Sequence, residues 1–190
     1  YKQCKKHINN FIENNRYNTI YTLSAGIINT RDITLEEENY VKLSEFALKT
    51  AKDNGRNNYY IYSKTDYDSY KRKLYISKAL HNAVNEDFKG FQVFYQPVVD
   101  ASTYMLIGAE ALMRFSIKKE GMDECEYISP VEFIPILEET GLIIPAGRWI
   151  LEQSAKQCSI WNEHVKGFRV NINVSYMQVM KCDVFSDLMS

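Results

Sequence analysis

The chain has 190 residues, 45% hydrophobic and 25% charged, which is typical of a globular protein and not of a disordered one. Its 23 basic and 24 acidic side chains nearly cancel, so neither a nucleic-acid polymer nor an anionic membrane is expected as a partner. The four cysteines form no CxxC pair, which argues against a zinc ribbon or a disulfide scaffold and favours the cytoplasm. No apolar run approaches the roughly 18 to 20 residues of a membrane helix.

The first part of the chain predicts alternating helices and strands. Residues 2–14 carry apolar side chains at helical spacing, and residues 17–28 are rich in β-branched and aromatic side chains, which predicts a strand. A capping box at residues 34–37 (TLEE) opens a second predicted helix that ends at Gly55. Residues 59–62 (YYIY) predict another strand. This order is typical of an α/β fold.

A polar stretch between Ser63 and Tyr70 marks the predicted end of this α/β part. A helix is predicted from Lys71, and a glycine separates it from the next apolar segment. We therefore expect one domain part over residues 1–63, a linker and leading helix over 64–90, and a second domain part over 91–190.

The second domain part predicts three strands, at residues 91–99, 105–115 and 168–174. Between the last two strands, Ser129 followed by proline and glutamate is a strong helix start. Another helix is predicted from near Pro145, and a further helix starts after the third strand. Strands separated by helices predict parallel pairing.

Two acidic stretches, at residues 36–38 and 123–126, are interpreted as solvated helix-end and loop charges rather than as a metal site. The three histidines, His7, His81 and His164, have no ligand spacing and are assigned no role.

Glu110 is the most informative residue, because a carboxylate between two alanines in a strand is costly to bury without a partner or a cation. The residues alone leave a salt bridge and a metal ligand about equally favoured. Arg114 shares its strand face roughly 13 Å away, a spacing that suits two parts of one anionic ligand. Gln96 and Asn173 lie near the ends of predicted strands, where barrel enzymes place site residues at the carboxyl ends of parallel strands.

Six segments resemble, in order and spacing, the EAL domain family of cyclic di-GMP phosphodiesterases, and together they cover about residues 74–190. They are FYQPVVD (94–100), GAEALMR (108–114), SPVEFIP (129–135), EETGLI (138–143), GRW (147–149) and NINVS (171–175). The resemblance implies a modified TIM barrel that hydrolyses cyclic di-GMP to the linear dinucleotide with Mg²⁺ or Mn²⁺.

The resemblance also implies residue roles. Glu110 matches the family's first metal-ligating carboxylate, and Asn173 matches its metal-ligating asparagine. Gln96, Leu112 and Arg114 match positions that contact the substrate, with Arg114 holding a phosphate. Oxygen ligands suit Mg²⁺, and a guanidinium fork suits a phosphodiester.

The family's remaining metal ligands and its catalytic lysine are expected beyond Ser190, so we expect a truncated barrel that does not hydrolyse cyclic di-GMP alone. Phe115 stands where the family usually has tryptophan, which retains an aromatic wall but alters the expected pocket shape. A barrel cut after about three strands leaves unpaired edges. We therefore expect a homodimer or another association through the open edge.

Residues 22–27 (TLSAGI) and 44–57 (SEFALKTAKDNGRN) resemble the last strand, helix and strand of a GGDEF domain. In that family the positions of Lys52 and Arg56 lie near the phosphates of GTP. A solvated helix end with cations near its carboxyl terminus explains both residues equally well or better. The GGDEF signature itself would precede Tyr1.

The leading hypothesis is a tandem GGDEF–EAL signalling protein whose intact EAL domain hydrolyses cyclic di-GMP. Glu45 and Lys49 replace the aspartate and tyrosine usual in the GGDEF helix, which suggests a non-catalytic cyclase domain. The alternative is a degenerate EAL domain that senses cyclic di-GMP or docks a protein partner without cleavage. A third interpretation is a fragment without activity of its own. Any sensory domain or membrane tether is expected upstream of Tyr1.

Overall fold

The computed structural model describes residues 1–30, 40–118, 121 and 124–181. The chain divides into two compact units, Tyr1–Lys71 and Arg72–Ser190. None of the helices in the described residues is long and apolar enough to cross a membrane.

The first unit alternates helices and strands, as predicted. It contains α1 (Lys2–Asn14), β1 (Ala25–Ile27), α2 (Tyr40–Asp53) and β2 (Tyr59–Ile61), and it ends in a further helix. Strands β1 and β2 pair in parallel, as expected for two strands joined through a helix. The predicted capping box at residues 34–37 lies outside the described residues.

Helix α2 supplies the core of this unit. Four of its side chains are buried: Leu43, Phe46, Ala47 and Ala51. The ring of Phe46 lies within 6.4 Å, centroid to centroid, of four tyrosine rings, those of Tyr60, Tyr62, Tyr67 and Tyr70. An apolar stripe on one helix face thus packs against an aromatic cluster.

The strand predicted over residues 17–28 is wrong except for Ala25–Ile27. Tyr21 turns toward α1 instead: its hydroxyl donates to Oδ1 of Asn9 at 2.6 Å and also lies 3.0 Å from the carbonyl oxygen of Lys5. Of the other β-branched and aromatic side chains in this segment, Tyr17 and Ile20 are exposed. Strand preference expresses packing against a partner strand more than an intrinsic backbone bias.

The helix predicted from Lys71 begins seven residues earlier, because α3 spans Lys64–Asn85. Ser63 precedes it, and its hydroxyl accepts from the backbone N–H of Asp66 at 3.4 Å. Asp66 lies in the first turn, where a negative charge complements the helix dipole. The polar composition that suggested a boundary therefore forms the start of the helix.

The second unit continues α3 and adds strands and helices in the order expected from the sequence, with one extra strand, β5. Its elements are β3 (Phe91–Val99), β4 (Leu106–Lys118), β5 (Cys125–Ile128), α4 (Pro130–Thr140), α5 (Ile143–His164), β6 (Arg169–Ile172) and α6 (Tyr176–Lys181).

Strand β4 is the centre of the sheet in this unit. Along one edge it pairs with antiparallel β3, from Phe91 opposite Phe115 to Val98 opposite Gly108. Along the other edge it pairs first with parallel β6 and then with antiparallel β5. The parallel pairing predicted for helix-separated strands is confirmed for β4 and β6.

Strand β3 runs antiparallel to β4 because a tight turn, and no helix, joins the two. The carboxylate of Asp100 accepts hydrogen bonds from the backbone N–H groups and the hydroxyls of Ser102 and Thr103 in that turn. These four donors hold the pKa of Asp100 well below its usual value, the hydroxyl of Ser102 contributing most. The sequence placed Gln96 at the carboxyl end of a parallel strand, and this orientation is wrong.

Strand β5 coincides with a segment that the sequence interpreted as loop charges. It is four residues long, and only Ile128 within it is buried. Burial alternates along β5, but its sequence CEYI shows no matching alternation of polar and apolar residues. Pairing with the end of β4 therefore makes the segment a strand.

One face of the sheet packs against α3, α4 and α5. The shared core consists of apolar side chains that are nearly or fully buried: Ile76, Leu80, Ala83, Phe91, Phe115, Ile128, Phe133, Ile136, Leu137, Ile143 and Ala146. Successive side chains of a strand point to opposite faces. Phe115 faces the helices, so the even-numbered residues of β4 that precede it lie on the opposite face. That face carries Glu110, Leu112 and Arg114.

An ion-pair cluster joins α3 to β5 and α4 within this unit. The guanidinium of Arg72 donates to Glu132 at 3.0 Å and also to Glu126. The hydrogen bond from Arg72 lowers the pKa of Glu132, and the same contacts raise the pKa of Arg72, with Glu132 as the largest cause.

Gly108 brings β4 and β6 together, since a Cβ at this position would lie 2.5 Å from the carbonyl oxygen of Arg169. We expect Gly108→Ala to lower the free energy of unfolding by about 1 to 3 kcal/mol, the usual cost of overpacking a rigid contact. Urea denaturation measures this loss. Ile107→Ala, which trims an exposed neighbouring side chain, serves as the control. Equal stabilities of the two variants would contradict the close approach.

Because the pKa of Glu132 is depressed in the folded chain, its contribution to stability is present above the ordinary glutamate pKa, about 4.3. This contribution is lost as the pH falls through the folded pKa. We expect Glu132→Gln to cost at most about 1 kcal/mol at pH 7, since the pair is partly exposed. In urea titrations the difference should diminish as the pH falls below about 4.3.

The matched control for this titration is Glu152→Gln, which removes an exposed pair with Lys156 and should cost less. A cost of Glu132→Gln that grows on acidification would refute the assignment.

Candidate functional site

Gln96 and Glu110 lie directly opposite each other in the antiparallel ladder of β3 and β4. Opposite residues in such a ladder project from the same face with Cβ atoms roughly 5 Å apart. This face is the one turned away from the helices. Two polar residues that the sequence placed on separate strands are thus brought together by register.

Strand β6 adds the third polar residue from the other edge of β4. Glu110 stands opposite Asn171 in the parallel ladder, so Asn173 follows two residues later on the same face, just beyond the end of the strand. Nδ2 of Asn173 donates to Oε1 of Glu110 at 2.7 Å. Glu110 and Asn173, 63 residues apart in sequence, therefore meet.

The donors of this pair fit a hard cation in type. A carboxylate oxygen and an amide oxygen are ligands that Mg²⁺ and Mn²⁺ accept, and reversing the side-chain amide of Asn173 would present its oxygen. The number of such oxygen donors is small. Within the described ranges, no group of three or more His, Cys, Asp or Glu side chains could hold a metal ion. The described residues thus provide a partial ligand set.

Arg114 follows Glu110 and Leu112 on the same strand face. Its guanidinium lies 5.5 Å from the ring centroid of Phe94, and its Nη1 donates to the carbonyl of Met113 at 2.9 Å. Among the residues that the structure describes, no carboxylate forms an ion pair with it. The half-buried guanidinium is oriented by an aromatic ring and keeps donors available for an anion.

A cavity of about 300 Å³ lies beside these residues. Leu112, Arg114 and Asn173 line it, whereas Gln96 and Glu110 do not. The other polar lining side chains come from α4 and from the end of β6 and the start of α6: Glu138, Ser175 and Gln178.

The turn between β6 and α6 is fixed by side chains. The hydroxyl of Ser175 donates to Oε1 of Glu138 at 2.5 Å, and the backbone N–H of Ser175 donates to Oε1 of Gln178 at 3.0 Å. Neither Glu138 nor Gln178 was predicted from the sequence to take part in the site. The only available signal was the position of Glu138 within the segment EETGLI.

Phe115, expected as an aromatic wall of the pocket, lies on the other face. Its ring is 2% exposed and contacts Phe91 and Phe133 at centroid distances of 4.8 and 6.0 Å. The replacement of a tryptophan by Phe115 therefore concerns the packing of the helices on the sheet.

Lys52 and Arg56 belong to the first unit and are exposed. Lys52 lies in the last turn of α2, and the backbone N–H of Arg56 donates to the carbonyl of Lys52 at 3.2 Å. This geometry suits a solvated helix end. Their contact with nucleotide phosphates remains a prediction.

Gly147 of α5 is packed under Gln178, because a Cβ at Gly147 would lie 1.8 Å from Nε2 of Gln178. We expect Gly147→Ala to displace that amide and break its bond to Ser175. In a Gln178→Ala background the same change should stabilise the chain by about 0.5 to 1 kcal/mol, the helix preference of alanine over glycine. In the wild-type background this gain should disappear, since the lost hydrogen bond costs about 1 kcal/mol.

A double-mutant cycle in urea measures this coupling. Additive effects of Gly147→Ala and Gln178→Ala would show that the two side chains do not constrain each other.

Comparison with known proteins identifies the family of the second unit. A sequence model of the EAL domain matches residues 77–190. A cyclic di-GMP phosphodiesterase of Pseudomonas aeruginosa is 30% identical over 154 residues, which cover 80% of this chain and 25% of the relative. The bifunctional diguanylate cyclase/cyclic di-GMP phosphodiesterase MucR of the same organism is 30% identical over 137 residues, which cover 71% and 19% of the two chains.

Among solved structures, the EAL enzyme Bd1971 bound to cAMP and cyclic di-GMP matches with a TM-score of 0.51 and 25% identity. The match covers 79% of this chain and 37% of that enzyme. The chain thus spans about a fifth to a quarter of the curated relatives described above.

Proposed function

This chain belongs to the EAL domain family, and we propose that its second unit supplies one side of a cyclic di-GMP phosphodiesterase site. The contact between Asn173 and Glu110 carries the proposal, because it brings the two residues matching the family's metal ligands to 2.7 Å. Gln96 lies opposite Glu110, and Arg114 follows on the same face. Homologues of this family are cyclic di-GMP phosphodiesterases, which supports a part in cyclic di-GMP signalling.

Glu110 and Asn173 would hold the metal, which we propose to be Mg²⁺ or Mn²⁺. When bound, such an ion polarises a phosphate oxygen and lowers the pKa of a coordinated water. Mg²⁺ takes six oxygen ligands in octahedral geometry, and the two side chains provide fewer. We therefore propose that the 190 residues bind the ligand weakly and do not hydrolyse it by themselves.

Arg114 would bind a phosphate of cyclic di-GMP. A guanidinium presents parallel N–H donors that match two phosphate oxygens, and the ring of Phe94 below it limits its rotation. Gln96 offers an amide for a polar group of the ligand, and Leu112 gives the adjoining cavity an apolar wall. These roles for Gln96, Leu112 and Arg114 follow the family pattern.

We further propose that the first unit is the carboxyl-terminal part of a GGDEF domain, so that the chain comes from a tandem protein. The parallel pairing of β1 and β2 across α2 supports this proposal, and MucR is a relative whose name joins the two activities. GTP is the ligand that Lys52 and Arg56 would then face. A cytoplasmic location accompanies this proposal.

Self-association through β3 is part of the proposal. Among the described residues β3 pairs with β4 alone, and an unpaired strand edge is a template for another chain. We propose a homodimer or a completed barrel at this edge.

Calorimetric titration of the 190-residue chain with cyclic di-GMP in the presence of Mn²⁺ tests the site. We expect Arg114→Ala to weaken binding about 10- to 100-fold, the value of a charge-assisted hydrogen bond. Lys156→Ala, on an exposed face of α5, should change nothing. Equal losses in the two variants, or no binding by the wild type, would contradict the proposed site.

Hydrolysis is tested with the chain joined to the residues that we propose complete the barrel. Chromatography should then show the linear dinucleotide with Mg²⁺, and Glu110→Gln should abolish it. Tight binding without product would favour the cyclic di-GMP receptor. Robust turnover by the 190 residues alone, abolished by Glu110→Gln, would refute the proposal that these residues provide only part of the active site.

A further inference from the structure

We infer that Glu138 is a positioning residue for Asn173, acting through Ser175. The contact stands on the geometry of the chain alone. Its consequence for metal binding rests on the function proposed above.

The contact is short and joins two elements that are distant in sequence. Glu138 lies in the last turn of α4, and Ser175 lies between β6 and α6. The hydroxyl of Ser175 donates to Oε1 of Glu138 at 2.5 Å, and both residues are half-buried. A hydroxyl that donates to a carboxylate forms one of the stronger hydrogen bonds in proteins.

The placement of Glu138 is unfavourable for α4 itself, because a negative charge at the carboxyl end of a helix opposes the helix dipole. The adjacent Glu139 is compensated by the ammonium of Lys73 at 2.5 Å. Within the described part of the chain, no basic side chain pairs with Glu138. Its carboxylate is engaged instead by the hydroxyl that anchors the β6–α6 turn.

Ser175 transmits this anchoring over a short distance. On one side, Ile172 is held in the ladder with Ala111 of β4. On the other side, the carbonyl of Ser175 accepts from the backbone N–H groups of Gln178 and Val179. Only residues 173 and 174 lie between these fixed points, so the orientation of Asn173 depends on where Ser175 is held.

The orientation of the Asn173 side chain is the property that this anchoring affects. Its side chain lies against Glu110 and also lines the cavity that Glu138 and Ser175 share. Loss of an outer partner of a metal ligand typically weakens metal affinity 10- to 100-fold. Glu138 thus acts on the site without contacting the proposed metal or the ligand.

The test uses the 190-residue chain with ¹⁵N-labelled asparagine. The side-chain amide signal of Asn173, identified by its loss in Asn173→Asp, reports the bond to Glu110 without any metal. We expect Glu138→Gln and Ser175→Ala each to shift this signal, and the double variant to shift it no further. Ser175→Thr, which keeps the hydroxyl, should restore the wild-type position.

Glu139→Gln is the matched control, since it neutralises the neighbouring carboxylate and should leave the Asn173 signal in place. An unmoved signal in both Glu138→Gln and Ser175→Ala would overturn the inference. So would shifts that add in the double variant.

Mn²⁺ titration followed by electron paramagnetic resonance separates this inference from the proposed function. We expect Glu138→Gln to weaken Mn²⁺ binding about tenfold and Glu139→Gln to leave it unchanged. If the wild-type chain does not bind Mn²⁺ but the coupled amide shifts are still present, the result would contradict the metal site and support the positioning contact. Normal Mn²⁺ binding by Glu138→Gln with an unmoved amide signal would contradict the positioning contact alone.

Discussion

The parallel pairing of β6 with β4 is the constraint on which the candidate site depends. It sets Asn171 opposite Glu110, so that Asn173 emerges one step past the strand with its amide against the carboxylate. Gly108 allows this pairing because it has no side chain, and any side chain there would meet the backbone of β6. A slip of one residue would turn Asn173 to the helix-covered face.

One face of β4 contributes to the stability of the unit, and the other face carries the charged residues of the candidate site. On the helix side, Phe115 and its aromatic neighbours form a packed core, which supplies the apolar burial that folding needs. On the other side, Glu110 and Arg114 stay half-exposed, where a charged group costs less than in the core. The same alternation of side chains that builds the core therefore presents the charged groups together.

The region around the site is organised in successive layers of contact. Glu110 is engaged by Asn173, the turn beyond Asn173 is held by Ser175, and Ser175 is held by Glu138. The first contact joins β4 to the turn after β6, and the last joins that turn to α4. Side chains therefore couple β4, β6 and α4, as the core does. Such coupling limits the motion of the proposed metal ligands before any ligand arrives.

The sequence by itself determined the order of helices and strands, the family, and four polar candidates, since these depend on local periodicity and on ordered motifs. It failed where local preference gives no decision. The segment from Tyr17 to Ser24 has strand composition but no partner strand among the described residues, whereas β5 overlaps a segment interpreted as loop charges and pairs with β4. Only the tertiary structure decided that β3 runs antiparallel, that Phe115 faces the core, and that Glu138 meets Ser175, because each depends on contacts between residues far apart in the chain.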